Sequence, residues 1–136
     1  MTTFLLDTDT CIYALKDDRN VVGQLMSKSK GDVAVSVIAE AELRTGAAKS
    51  SSPLKNLRHL ENLLRPLEIL EFSSADAIVY AHVRAKLERA GTPIGPLDTL
   101  IAAQAISRQL TLVSNNEREF RRVQGLRFEN WTRRVS

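Results

Sequence analysis

A few acidic and amide side chains stand where apolar runs stop. Phe4-Leu5-Leu6 runs straight into Asp7, with Asp9 two positions on. Burying an ionised carboxylate is costly unless it is paired, hydrogen-bonded or bound to a metal. Asp98 follows Gly95-Pro96-Leu97, Glu42 lies in a helix-forming stretch, and Asn115, Asn116 and Glu119 follow the apolar run that starts at Leu110. Clustered carboxylates repel one another, and a cation is the usual remedy. Oxygen-only donors select hard ions, Mg²⁺ or Mn²⁺ over Zn²⁺. His59 and His82 are far apart and Cys11 is the only cysteine, so the donors for a Cys/His zinc site are missing. A hard ion held by such groups acidifies water, aligns it for in-line attack and stabilises a leaving oxygen, which is the chemistry of phosphodiester hydrolysis.

These residues must be brought together by the elements between them. Thr3–Leu6 reads as a strand, and Thr8 or Thr10 as the cap of a short helix through Leu15. Val21–Ser27 suits a second short helix. Gly31-Asp32 turns into a strand at Val33-Ala34-Val35, and Ser36 precedes a helix from Val37 to about Lys49. Pro53 opens a further helix, whose Leu54, Leu57, Leu60, Leu63 and Leu64 form an apolar stripe. Glu68–Phe72 reads as a strand, and Ser73 or Ser74 caps a helix from Ala75 to about Arg89, with Gly91 past its end. Leu97–Arg108 is a helix, Leu110–Ser114 a strand, and Arg127-Phe128-Glu129 an edge strand. This alternation specifies an α/β fold with a central, mostly parallel sheet and helices on both faces, in one domain over 1–136. In such sheets ligands bind at the carboxyl ends of the strands, where Asp7 and Asn115-Asn116 would lie.

Each group also has a plain structural explanation. Asp98 in a first helical turn complements the helix dipole. Glu42 could pair with a neighbouring Arg, and Glu40, two positions away, faces elsewhere. Asp7 could be a helix cap, and Asp9 a cap or a group supporting the ligands. The leucine stripe is core or interface.

The net charge of +3 hides an asymmetry. Residues 108–136 carry seven Arg against three Glu, whereas the first 107 carry twelve basic and thirteen acidic groups. A basic end on an acidic body suits either a polyanionic partner or a solvated surface. No apolar run is long enough to span a bilayer, and no leader pattern is visible, so a cytoplasmic protein without a membrane partner is expected.

Taken together, the segments resemble PIN-domain ribonucleases of the VapC toxin type. Leu5-Leu6-Asp7-Thr8-Asp9-Thr10-Cys11-Ile12-Tyr13 is similar to their opening, Val35-Ser36-Val37-Ile38 through Ala41-Glu42-Leu43-Arg44-Thr45-Gly46-Ala47 to their second motif, Gly91-Thr92-Pro93-Ile94-Gly95-Pro96-Leu97-Asp98-Thr99-Leu100-Ile101-Ala102-Ala103 to the third, and Thr111-Leu112-Val113-Ser114-Asn115-Asn116-Glu117-Arg118-Glu119-Phe120 to the fourth. Phe128-Glu129-Asn130-Trp131 is similar to their closing segment. The resemblance spans the chain in order. It implies a PIN-like α/β/α sandwich and an Mg²⁺-dependent (or Mn²⁺-dependent) endoribonuclease, with tRNA among possible targets. Asp7 and Asp98 would be metal ligands, with Glu42 holding a water or a second ion. Ser36 and Ser114, with Asp9, would orient carboxylates or a phosphate. Asp9 stands where the family usually has Asn, and Asn116 where many members have Asp, so either Asn116 or Glu119 completes the acidic set. The resemblance also implies a homodimer, a VapB-type antitoxin and a higher assembly with it. Leu54, Leu57 and Leu60 are the candidate grip for that antitoxin, and the Arg-rich residues 118–134 for RNA.

Two rival readings remain at this level. The opening Asp-Thr-Asp also resembles haloacid-dehalogenase-type phosphatases, with Asp7 as nucleophile, but no later acidic pair ends an apolar strand. A non-catalytic RNA- or protein-binding module fits the basic end, but uncompensated acids would weaken its hold on phosphate.

Overall fold

The computed structural model describes residues 1–29 and 31–133. Its elements run β1 (Phe4–Leu6), α1 (Thr8–Leu15), α2 (Arg19–Ser27), β2 (Val33–Ser36), α3 (Val37–Lys49), α4 (Pro53–Leu64), β3 (Glu68–Leu70), α5 (Ser74–Arg89), α6 (Pro96–Ser107), β4 (Thr111–Val113), α7 (Glu117–Phe120) and β5 (Phe128–Glu129). The strands form one sheet in the order β3-β2-β1-β4-β5, and every pair is parallel. Helices flank it, giving the layered α/β arrangement expected from the alternation.

The central strands are apolar because both of their faces are covered. Leu5, Leu6, Ala34, Val35, Leu112 and Val113 are fully buried. From β1 the chain steps outward through β2 to β3, then returns to lay β4 on the other side of β1. The direction of winding therefore reverses between β1 and β4. Such a reversal opens a crevice beyond the strand ends.

Helix α6 has no polar face to offer solvent over most of its length: Ile101, Ala102, Ala103, Gln104 and Ala105 are all buried. Small side chains there let α5 and the sheet approach closely. The Gln104 amide nitrogen donates to the carbonyls of Leu70 at 2.9 Å and Glu71 at 3.0 Å, while its Oε1 is buried without a partner among the described residues. Arg108, at the end of α6, donates to buried Asp76 at 3.2 Å. Asp76 also closes a reciprocal capping box with Ser73 at the start of α5. Gly91, with φ 72°, turns the chain out of α5 in the left-handed conformation that glycine adopts without strain.

Two local points are refined by the structure. Of the caps considered for α1, the observed one is Asp7, not Thr8 or Thr10: its Oδ1 accepts from Thr10 N–H at 2.8 Å, because β1 stops at Leu6. The single turn α7 has no counterpart in the sequence pattern, four residues being too few to show a period.

Candidate active site

The parallel register aligns the residues that follow the strands. Leu6 pairs with Val35 on one side and Val113 on the other, so Asp7, Ser36 and Ser114 come next in a row. Asp7, at 2% exposure, lies at the crevice between β1 and β4. Burial pushes its carboxyl up to about 6, against hydrogen bonds from the Ser114 hydroxyl and Thr10 N–H that lower it, and Asp9 adds repulsion. The capping role is therefore real, but it occupies one oxygen and leaves the group expensive to ionise.

Asp98 enters from the first turn of α6. A helix N-terminus would lower its pKa. It is instead raised to about 6, by burial first and then by the charges of Glu119, Asp9 and Glu42, while the Asn116 side chain hydrogen-bonds to it and opposes the rise. The helix dipole alone thus does not explain Asp98. Those couplings also define the cluster: four acids from α1, α3, α6 and α7 face one another, and Asp9 links them to Asp7.

Glu42 is half-buried on α3, and its Oε1 accepts from Thr8 Oγ1 at 2.6 Å. The neighbouring Arg44 is engaged elsewhere, at 3.0 Å from Glu40 and 3.8 Å from Glu61. Asn116 is tied to two neighbours. Its Nδ2 donates to Glu119 Oε2 at 3.0 Å, and its backbone N–H donates to Ser114 Oγ at 2.9 Å. It is a neutral bridge between them. Asn115 turns away, to Tyr13, Asn130 and Thr132.

Ser36 is fully buried, and its hydroxyl caps α3 by accepting from Ile38 N–H at 3.0 Å. Ser114 is equally buried and reaches only the carboxylate of Asp7 and the backbone. Thr8 was overlooked as more than a cap candidate. Its place beside Asp7, at the first position of α1, was the available signal.

Among the described residues no Lys, Arg or His forms an ion pair with Asp7, Asp9, Glu42, Asp98 or Glu119. Their recorded partners are hydroxyls, amides and backbone N–H groups. Among the described residues no three Asp, Glu, His or Cys side chains are grouped closely enough to hold a metal ion as they stand. The donor chemistry of the acids around Asp98, all oxygen, suits a hard divalent ion rather than zinc.

The leucine stripe on α4 is divided. Leu60 and Leu64 are buried in the core, Leu57 is half-buried and Leu54 is 75% exposed. Leu60 is thus a core residue, reaching only the floor of a groove of about 410 Å³ that runs from Thr8 and Glu42 past Ile12, Lys16 and Asn56. Leu54 and Leu57 lie outside that groove's lining. In the Arg-rich segment Arg121 and Arg133 pair with Glu117, and Arg122 donates to the Pro93 carbonyl at 3.0 Å. Arg134 lies outside the described residues.

The family described as PIN domain matches residues 4–126. A tRNA(fMet)-specific endonuclease VapC of Salmonella typhimurium is 40% identical over 131 residues, 96% of this chain and 99% of that one. Among solved structures, DNA-bound VapBC from Salmonella typhimurium superposes with a TM-score of 0.92 at 40% identity, covering 96% of this chain and 99% of its own. VapBC2 from Rickettsia felis, bound to a DNA fragment from its promoter, gives 0.91 at 38% identity with the same coverage.

Proposed function

The chain belongs to the PIN-domain family, and from that premise we propose that it is a divalent-metal-dependent endoribonuclease, the toxin of a VapBC-type pair. A cognate VapB-type antitoxin neutralises it. RNA is the substrate, with tRNA the first class to test, since the similar Salmonella protein is named for tRNA(fMet). The observation that carries this reading is the set of acids that, among the described residues, are held only by neutral donors. A chain that wanted these carboxylates for stability alone would have paired them with the arginines it has in plenty.

Mg²⁺ is the ion we assign to the site, with Mn²⁺ as a substitute. Asp7 and Asp98 would hold it, with Glu42 and Glu119 beside them. When bound, it would offset the carboxylate repulsion and supply Lewis-acid activation of water and phosphate. The chain's own groups do the rest. Ser114 and Thr10 N–H fix the rotamer of Asp7. Asn116 holds Glu119 and hydrogen-bonds to Asp98 without neutralising either. Glu42, with no cation partner among the described residues, can accept a proton from the attacking water.

The groove from Glu42 to Asn56 is our candidate seat for the antitoxin, and exposed Arg118 and Arg122 are candidate contacts to the RNA backbone. A homodimer, with a higher assembly on antitoxin binding, completes the proposal. No helix of the described residues is long and apolar enough to cross a membrane.

The decisive experiment incubates purified protein with tRNA in Mg²⁺, in EDTA, and as Asp7→Asn and Asp98→Asn. Cleavage that EDTA and either substitution abolish is expected. Metal-independent cleavage, or fully active variants, would overturn the reading. Trapping of a phosphoryl group on Asp7 would favour the phosphatase instead.

A further inference from the structure

We propose that Thr8 is a positioning residue that aims Glu42 at the reaction centre without neutralising its charge. This rests on the acidic-site reading above. Thr8 is the first residue of α1, so the turn that presents Asp7 also presents its neighbour's hydroxyl. That hydroxyl meets Glu42 Oε1 at 2.6 Å, in the range of a charge-assisted O–H···O⁻ bond. It reaches across from α1 to α3, an element 34 residues on in the chain.

Glu42 needs such a restraint. A half-buried glutamate has several rotatable bonds, and fixing it costs conformational freedom. Arg44, two positions on, leaves α3 on another side and is engaged by Glu40 and Glu61. A cation at Thr8 would fix Glu42 as firmly but would discharge it. A hydroxyl fixes Oε1, leaves Oε2 without a recorded partner among the described residues and keeps the full negative charge. Asn116 treats Glu119 in the same way, so neutral anchoring recurs on both sides of Asp98.

The test removes the hydroxyl with Thr8→Val and, separately, Thr8→Ala, and restores it with Thr8→Ser. Mn²⁺ affinity is read by calorimetry, and RNA cleavage is resolved into kcat and KM. Both hydroxyl-free variants should bind Mn²⁺ about tenfold more weakly, matching the loss of one hydrogen bond to a charged group. Their kcat should fall by a similar factor with KM for RNA unchanged, and Thr8→Ser should recover both. Wild-type Mn²⁺ affinity and kcat in Thr8→Val or Thr8→Ala would overturn the proposal, as would Thr8→Ser behaving no better than they do. Asp98→Asn, run in parallel, separates the two levels. If it too binds Mn²⁺ and cleaves normally, the acidic-site reading fails; if it loses both while Thr8→Val does not, only the role of Thr8 fails.

Discussion

Asn116 donates its amide to Glu119 at 3.0 Å, so the amide and the carboxylate divide one task between two residues a turn apart. An aspartate at 116 would face Glu119 and Asp98 with a third negative charge and no donor. Asn116→Asp should therefore destabilise the metal-free protein, by about 1–2 kcal/mol for the lost bond and the new repulsion. It should also push the Asp98 carboxyl further up. The acid limb of the pH–rate profile would then move to higher pH, and an unchanged limb would count against the bridging role.

The two raised carboxylates fix the pH dependence of the metal-free fold. Asp7 and Asp98 both move from 3.8 to about 6 on folding. Below the lower value, folded and unfolded chains are both protonated and no penalty exists. Between the two values the unfolded chain ionises while the folded chain holds its protons, so stability falls as pH rises. Above about 6 the penalty is complete, roughly 3 kcal/mol for buried Asp7 and less for half-buried Asp98, which solvent screens. Urea titrations in EDTA from pH 4 to 7 should show this decline, and added Mg²⁺ should shrink it. Stability that rises across that window would contradict the burial argument.

Arg108 and Asp76 join the end of α6 to the start of α5, and Asp76 is fully buried. Arg108→Ala leaves that charge to the Ser73 cap and the Ser107 hydroxyl. A loss of about 2–3 kcal/mol is expected, below the full cost of orphaning a buried charge because Arg108 is itself 32% exposed at its side chain. Chemical denaturation measures it directly.

The groove beside Glu42 gives a cleaner test of antitoxin binding than the leucine stripe. Leu60→Asp would place a charge in the core and unfold the chain whatever its partners. Ile12 is 36% exposed and lines the groove. Ile12→Asp should keep the fold and weaken antitoxin binding about tenfold or more, as loss of an apolar anchor does. Unchanged affinity with an intact fold would move the antitoxin elsewhere.

The sequence by itself determined the alternation of strands and helices, and so the parallel sheet, because burial on both faces forces uninterrupted apolar runs such as Phe4-Leu5-Leu6. It also drew attention to Asp7, which ends such a run, while the plain structural readings of Glu42 and Asp98 were set aside only by the resemblance of their segments to the family's motifs. The tertiary structure decided what periodicity cannot express, namely which side chains from distant elements touch. The hydroxyl of Thr8 meets Glu42, and Arg44 is taken by Glu40 and Glu61. Ser36 is spent on a cap while Ser114 turns to Asp7, although both follow a strand in the same register. The stripe on α4 shows the same limit: helical spacing marked its leucines as one face, but only the packing against α1 and α3 decided that Leu60 is core and Leu54 is not. Spacing along the chain determines the direction in which a side chain leaves its own element; what waits there belongs to another element, and folding alone brings the two together.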